Sequence, residues 1–77
     1  MIDTVYLNVK AIDLVDKDAT VHHTSGKEEK VDVDSIEINF PVNIESTENG
    51  VRINLTQIAY CEYHKGNIKK LKCDRML

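Results

Sequence analysis

The sequence predicts an all-β domain, a small antiparallel barrel or sandwich of the SH3-like or OB-like roll type, with five to seven short strands. Three observations predict it. Apolar residues alternate strictly from Ile36 through Ile38, Phe40 and Val42 to Ile44. Turn signals recur at strand-length intervals, at Asp16-Lys17-Asp18, Ser25-Gly26-Lys27, Asn49-Gly50 and Lys65-Gly66-Asn67. No stretch carries a convincing amphipathic helix. The alternative arrangement is a β-meander with one short helix near residues 9–19.

At 77 residues the chain is one domain, residues 1–77. So small a domain has little core, and a metal, a disulfide or self-association is the usual supplement. With 42% hydrophobic and 30% charged residues, the composition is that of a folded protein.

The first strand begins at Thr4. Val5, Leu7, Val9 and Ala11 fall on one face, and Tyr6, Asn8 and Lys10 on the other. Ile12 and Leu14 then continue the apolar set with the opposite parity. A bulge or sharp bend near Ala11-Ile12 reconciles the two. A short strand follows from Thr20 to Thr24, with Val21 and His23 on one face and His22 on the other. Val31 and Val33 open the next strand, and Asp34-Ser35 interrupts it.

The alternating run from Ile36 to Ile44 comes next, with Pro41 inside it. Proline donates no ladder hydrogen bond, which places Pro41 at an edge or where the strand passes from one sheet to another. Asn49-Gly50 predicts a two-residue hairpin turn. That register sets Ile44 opposite Leu55 and Ser46 opposite Ile53. After a bend at Thr56-Gln57, Ile58 to His64 forms a strand that returns through a three-residue loop, Lys65-Gly66-Asn67. One face then carries Ala59, Cys61, Tyr63, Leu71 and Cys73. The other carries Tyr60, Glu62, His64, Ile68, Lys70 and Lys72. In this register Glu62 pairs with Lys70, while Cys61 and Cys73 are diagonal neighbours. Diagonal neighbours are poorly placed for a disulfide, which needs Cβ atoms about 3.8 Å apart.

Few residues suggest chemistry. Cys61-x-x-His64, with Cys73 and either His22 or His23, has the residue types of a zinc site. Cys61 and His64 fall on opposite strand faces, so no metal is expected. The same separation argues against a Cys–His nucleophilic pair. No Gly-rich phosphate loop is present, so no cofactor and no enzymatic activity are expected.

Charge is more informative. Residues 1–62 carry a net −7 and residues 63–77 a net +4, within an overall −3. The basic end comprises Lys65, Lys69, Lys70, Lys72 and Arg75. Tyr60 and His64 share a face with Lys70 and Lys72, the arrangement by which small β folds hold single strands or nucleotides. A plainer reading is that these lysines keep a hairpin soluble and neutralise acidic strands of the same molecule.

The expected function is therefore a non-enzymatic protein-interaction module that binds a partner protein or self-associates as a homo-oligomer. Binding of nucleic acid or a nucleotide through Tyr60, His64, Lys69, Lys70 and Lys72 is the alternative. The N-terminus has neither the basic nor the apolar region of a signal peptide, and no apolar run is of membrane-spanning length. A cytoplasmic setting is the expectation. Lys, Ile and Asn are frequent and Arg scarce, a composition that suggests a phage or mobile-element accessory protein, or an inhibitor of a host enzyme.

Overall fold

The computed structural model describes residues 1–76 and is all-β. Seven strands follow one another: β1 (Thr4–Val15), β2 (Asp18–His23), β3 (Glu28–Asp32), β4 (Ser35–Ile38), β5 (Val42–Ser46), β6 (Val51–Lys65) and β7 (Lys69–Arg75). No helix occurs among the described residues, so the helical alternative for 9–19 is overturned: that segment is the body of β1 and the start of β2.

The strands are hydrogen-bonded in the order β3-β2-β1-β6-β7-β4, with β5 paired to β6 off this path. All pairings are antiparallel except β4 with β7, which is parallel. The predicted purely antiparallel sheet is thus corrected to a mixed one. The two ends of the path, β3 and β4, are consecutive in the chain and joined only by Val33-Asp34. So short a link obliges the sheet to roll until its ends approach. The link is anchored on both sides: Val33 N–H donates to the Lys17 carbonyl and Asp34 N–H to the Lys69 carbonyl.

The two long strands make the roll possible, because each belongs to both halves of it. The C-terminal part of β1 and the N-terminal part of β6 pair with each other and with β2 and β5. The other ends of β1 and β6 pair with each other and with β7. Between the halves the register breaks, at Tyr6/Val9 and again at Val9/Ala11. This bears out the predicted bulge near Ala11-Ile12. Asn8 supplies the bend with φ 56°, a left-handed conformation that asparagine tolerates better than most residues.

That left-handed residue also overturns the predicted first face. Tyr6, not Val5 or Leu7, is buried; it lies opposite the inward Cys61. Val5 and Leu7 point outward and are about half exposed. Beyond the bulge, Val9, Ala11 and Ile12 are buried.

One core serves both halves. Ile12, Ala19, Val21 and Ile53 come from the first, and Tyr6, Cys61, Tyr63, Leu71 and Cys73 from the second. The Tyr63 hydroxyl crosses to donate to the Asp32 carbonyl, at 2.7 Å. A buried phenol needs such a partner, and here the bond also ties β6 to the end of β3.

The alternating run Ile36–Ile44 divides at Asn39-Phe40-Pro41. Before the break β4 pairs with β7, and after it β5 pairs with β6. Pro41 therefore marks the point where the chain changes partner, as its missing donor predicts. The Asn49-Gly50 turn is corrected. The loop spans Thr47 to Gly50, Ser46 pairs with Val51, and Ile44 with Ile53. Thr47 N–H donates to the Gly50 carbonyl, and the Thr47 hydroxyl accepts from Gly50 N–H. Gly50 is needed for closeness instead: a Cβ there would collide with the Leu14 carbonyl of β1. The register slips by two residues from the predicted one, so the apolar faces still coincide.

The last hairpin slips by two as well. Lys65 pairs with Lys69, Tyr63 with Leu71 and Cys61 with Cys73. The predicted inner face is otherwise as expected, with Ala59, Cys61, Tyr63, Leu71 and Cys73 all buried. The slip makes the two cysteines directly opposed, with Cα atoms 4.1 Å apart, and they form a buried disulfide. The expectation of unpaired cysteines is thereby corrected.

Candidate interaction surface

The outer face of the second half carries the residues singled out from the sequence. β6 presents Tyr60, Glu62 and His64, and β7 presents Asp74, Lys72 and Lys70 directly opposite them. β4 adds Glu37 opposite Lys72 and Ser35 opposite Lys70. Strand alternation places Tyr60, His64, Lys70 and Lys72 on one face, as read from the sequence. Lys69 stands apart: its neighbours on β7 alternate away from it, and its ammonium lies 3.8 Å from Asp32.

The cations on this face are largely answered from within the chain. Lys70 Nζ lies 2.8 Å from Glu37 Oε1, and that contact, with Lys72 nearby, holds the Glu37 carboxyl below its usual range. Lys72 stands in register between Glu37 and Glu62. The predicted Glu62–Lys70 pair is not formed, because the two-residue slip sets Lys70 opposite His64, while the parallel pairing with β4 brings Glu37 to it. His64 Nδ1 donates to the Met1 carbonyl at 2.9 Å, and its Nε2 lies 3.4 Å from Glu62. The Lys69 backbone N–H donates to the Asp34 carboxylate, which also meets Lys17; the first contact, then the second, holds that carboxyl below its usual range.

Further along the same face the character changes from charged to apolar. Leu7, Tyr60, Asp74, Arg75 and Met76 line a shallow depression of about 520 Å³. Leu7 is 52% exposed, and Val5, at 49%, stands outward beside Glu62. Ile58 is 51% exposed, and its carbonyl accepts from Met76 N–H, which binds the end of the chain to the corner of β6. The sequence hides Leu7 and Val5 within an alternation that reads as core. The one available signal is Asn8, a residue suited to the left-handed backbone that reverses the face.

A second polar cluster lies on the outer face of the first half. Asp13 Oδ1 accepts from Arg52 Nε at 2.6 Å, and Oδ2 accepts from the guanidinium at 2.9 Å and from His22 Nε2 at 2.7 Å. The bidentate Arg52 contact, aided by His22 and opposed by partial burial, lowers the Asp13 carboxyl to about 2. Glu45 stands opposite Arg52 and accepts from Asn54. The cluster is a set of cross-strand contacts between β2, β1, β6 and β5. It depends on the β1–β6 register, which sequence spacing does not disclose.

The five candidate metal ligands are not brought together. Cys61 and Cys73 are bonded to each other inside the core, and His64 lies on the outer face. His22 is bonded to Asp13. The buried His23 lies between the Leu7 carbonyl and the Glu29 carboxylate, each at 2.6 Å, with the Tyr6 ring edge-on to it. No group of three potential ligands could hold a metal ion among the described residues. No helix of the described chain is long and apolar enough to cross a membrane.

Neither the protein-family models, nor the curated proteins, nor the solved structures contain a match to this chain.

Proposed function

We propose that the protein is a non-enzymatic interaction module that docks a partner protein on the outer face of its second half. The observation that carries this reading is the apolar surface around the depression. Leu7, Val5, Ile58 and Met76 are exposed next to Tyr60. An aromatic residue among exposed aliphatic ones, with charged residues beside them, has the composition of a protein-docking patch.

Binding of nucleic acid through Tyr60, His64, Lys69, Lys70 and Lys72 is the weaker reading. Lys69 and Lys70 each have a carboxylate partner, and Lys72 lies in register between two. Phosphate binding would have to displace those partners.

Affinity capture from cells of the source organism, with wild type and Leu7→Asp in parallel, tests the proposal. A protein retained by wild type and lost by an equally stable Leu7→Asp meets the expectation. Retention that Leu7→Asp leaves unchanged counts against this surface. Tight, salt-sensitive binding of a single-stranded oligonucleotide would instead favour the alternative. The cytoplasmic setting, and an origin in phage or a mobile element, are proposals resting on composition. The first requires Cys61 and Cys73 to be thiols in the cell, whereas the disulfide of the structure favours an oxidising compartment; thiol trapping before lysis decides between them.

A further inference from the structure

A row of apolar side chains crosses the inner face of the first half and ends in the open. Val21, Ile12, Ile53 and Ile44 stand side by side on β2, β1, β6 and β5. The first two are fully buried and Ile53 is 8% exposed, but Ile44 is 64% exposed. Ile44 therefore faces the side of the sheet that elsewhere is core, with no strand beyond it. β5 pairs only with β6 among the described strands.

The hydrogen-bonding groups of that edge follow from the turn. Thr47 N–H bonds to Gly50, so Thr47, Glu45 and Asn43 direct their backbone groups toward β6. Val42, Ile44 and Ser46 direct theirs outward, as an unpaired template for another strand.

We propose that this edge pairs with the β5 of a second copy of the chain, antiparallel and two-fold about Ile44. The sequence of β5 is self-complementary in that register. Ile44 meets its own mate, so the apolar row runs unbroken from one subunit into the next. Val42 lies opposite Ser46 of the second copy, and Asn43 opposite Glu45. No like charges face one another, and the Asn43 amide meets a carboxylate already oriented by Asn54.

The edge at β3 provides the contrast that selects β5. A two-fold pairing about Lys30 would set Lys30 against its mate and Glu28 against Asp32 of the second copy. Like charges directly opposed are destabilising, so that edge is guarded against itself. The only acid on β5, Glu45, is placed where self-pairing gives it a donor. A two-fold interface of this kind is closed, and forms a dimer instead of a fibre.

Solution mass tests the proposal. Sedimentation equilibrium of wild type between about 10 μM and about 1 mM, the range of small interfaces, is expected to rise from 8.8 kDa toward twice that. Ile44→Lys is expected to stay monomeric throughout with an unchanged circular dichroism spectrum. Two variants at an exposed position keep the test open should that chain misfold. Asn43→Lys is expected to tighten the dimer and Asn43→Glu to loosen it, each by roughly 2- to 30-fold over two symmetric contacts. A wild type that remains monomeric, or a dimer unaffected by Ile44→Lys or by both Asn43 variants, overturns the proposal. Leu7→Asp, on the opposite face and at another site, leaves this dimer intact. A dimer lost in Leu7→Asp would place self-association on the outer-face patch and likewise overturn it.

Discussion

The two hairpins that share β6 carry equally regular apolar alternation and have opposite fates. In the second, β6 with β7, the alternate residues Cys61, Tyr63, Leu71 and Cys73 are all buried and two of them are bonded. In the first, β5 with β6, only Ile53 is fully within the core, and its partner Ile44 is mostly exposed. The difference lies in position, not pattern. The second hairpin lies between β1 and β4, whereas the first ends at a free edge. Alternation specifies which side of a sheet a residue faces, and the opposing layer specifies whether that side is covered. The first hairpin adds polar contacts on its outer face, where Arg52 grips Asp13 of β1, to the packing of Val42, Ile53 and Leu55.

The largest test of this contrast pairs two truncations. Leu71→Ala, at a fully buried site, is expected to lower unfolding free energy by about 2–5 kcal/mol. Ile44→Ala, at low concentration, is expected to change it by about 0.5 kcal/mol or less. Denaturant titration of both variants checks this, and equal losses would mean that β5 is covered in solution even as a monomer.

Reduction of the disulfide tests the second hairpin alone. Cys61 and Cys73 are separated by 12 residues, a loop whose closure stabilises by about 3 kcal/mol in the chain-entropy account. Chemical denaturation with and without a phosphine reductant should show a loss near that size. Equal stability would assign the hairpin's firmness to packing only.

A smaller effect than disulfide reduction is expected where β1 meets the first hairpin, and it depends on acid. The Asp13 carboxyl is lowered in the folded state, so its contribution is fully present above the ordinary carboxyl value. It is lost as pH falls from there through about 2. Asp13→Asn should cost about 1–2 kcal/mol at neutral pH, since a quarter of the side chain is exposed and partly screened. The variant's stability should then vary less with pH across that acid range. Amide exchange near the acid end should open β5 before β7 in wild type, and simultaneous opening would contradict the division between the hairpins.

Several features of the fold were legible residue by residue. Pro41 marks the change of strand partner because it lacks a donor, and the clash of parity at Ala11-Ile12 marks the bulge because two apolar sets cannot share one straight strand. The inner face of β6 and β7 follows from alternation alone. The failures are equally specific. Asn8 reverses the face of Val5 and Leu7, which hides the proposed docking surface inside an apparent core run. Asn49-Gly50 and Lys65-Gly66-Asn67 locate their turns but misplace each register by two residues. A two-residue slip leaves every side chain on its face, so the pattern contains no information against it.

From that slip and from the parallel β4–β7 pairing come the features local reasoning could not reach: the opposed cysteines, the Lys70–Glu37 pair, and the alignment of Lys72 between two acids. The sequence by itself placed the break at Pro41 but also a bend at Thr56-Gln57, where β6 in fact runs on unbroken from Val51 to Lys65. It determined which residues form strands and, past the bulge, which side each residue faces. These depend on backbone chemistry and on a period of two, both local. Only the tertiary structure decided which strands are neighbours, in what register, and whether an inward-facing residue such as Ile44 finds anything to face. Those depend on contacts between distant parts of the chain, made when a two-residue link between β3 and β4 rolls the sheet upon itself.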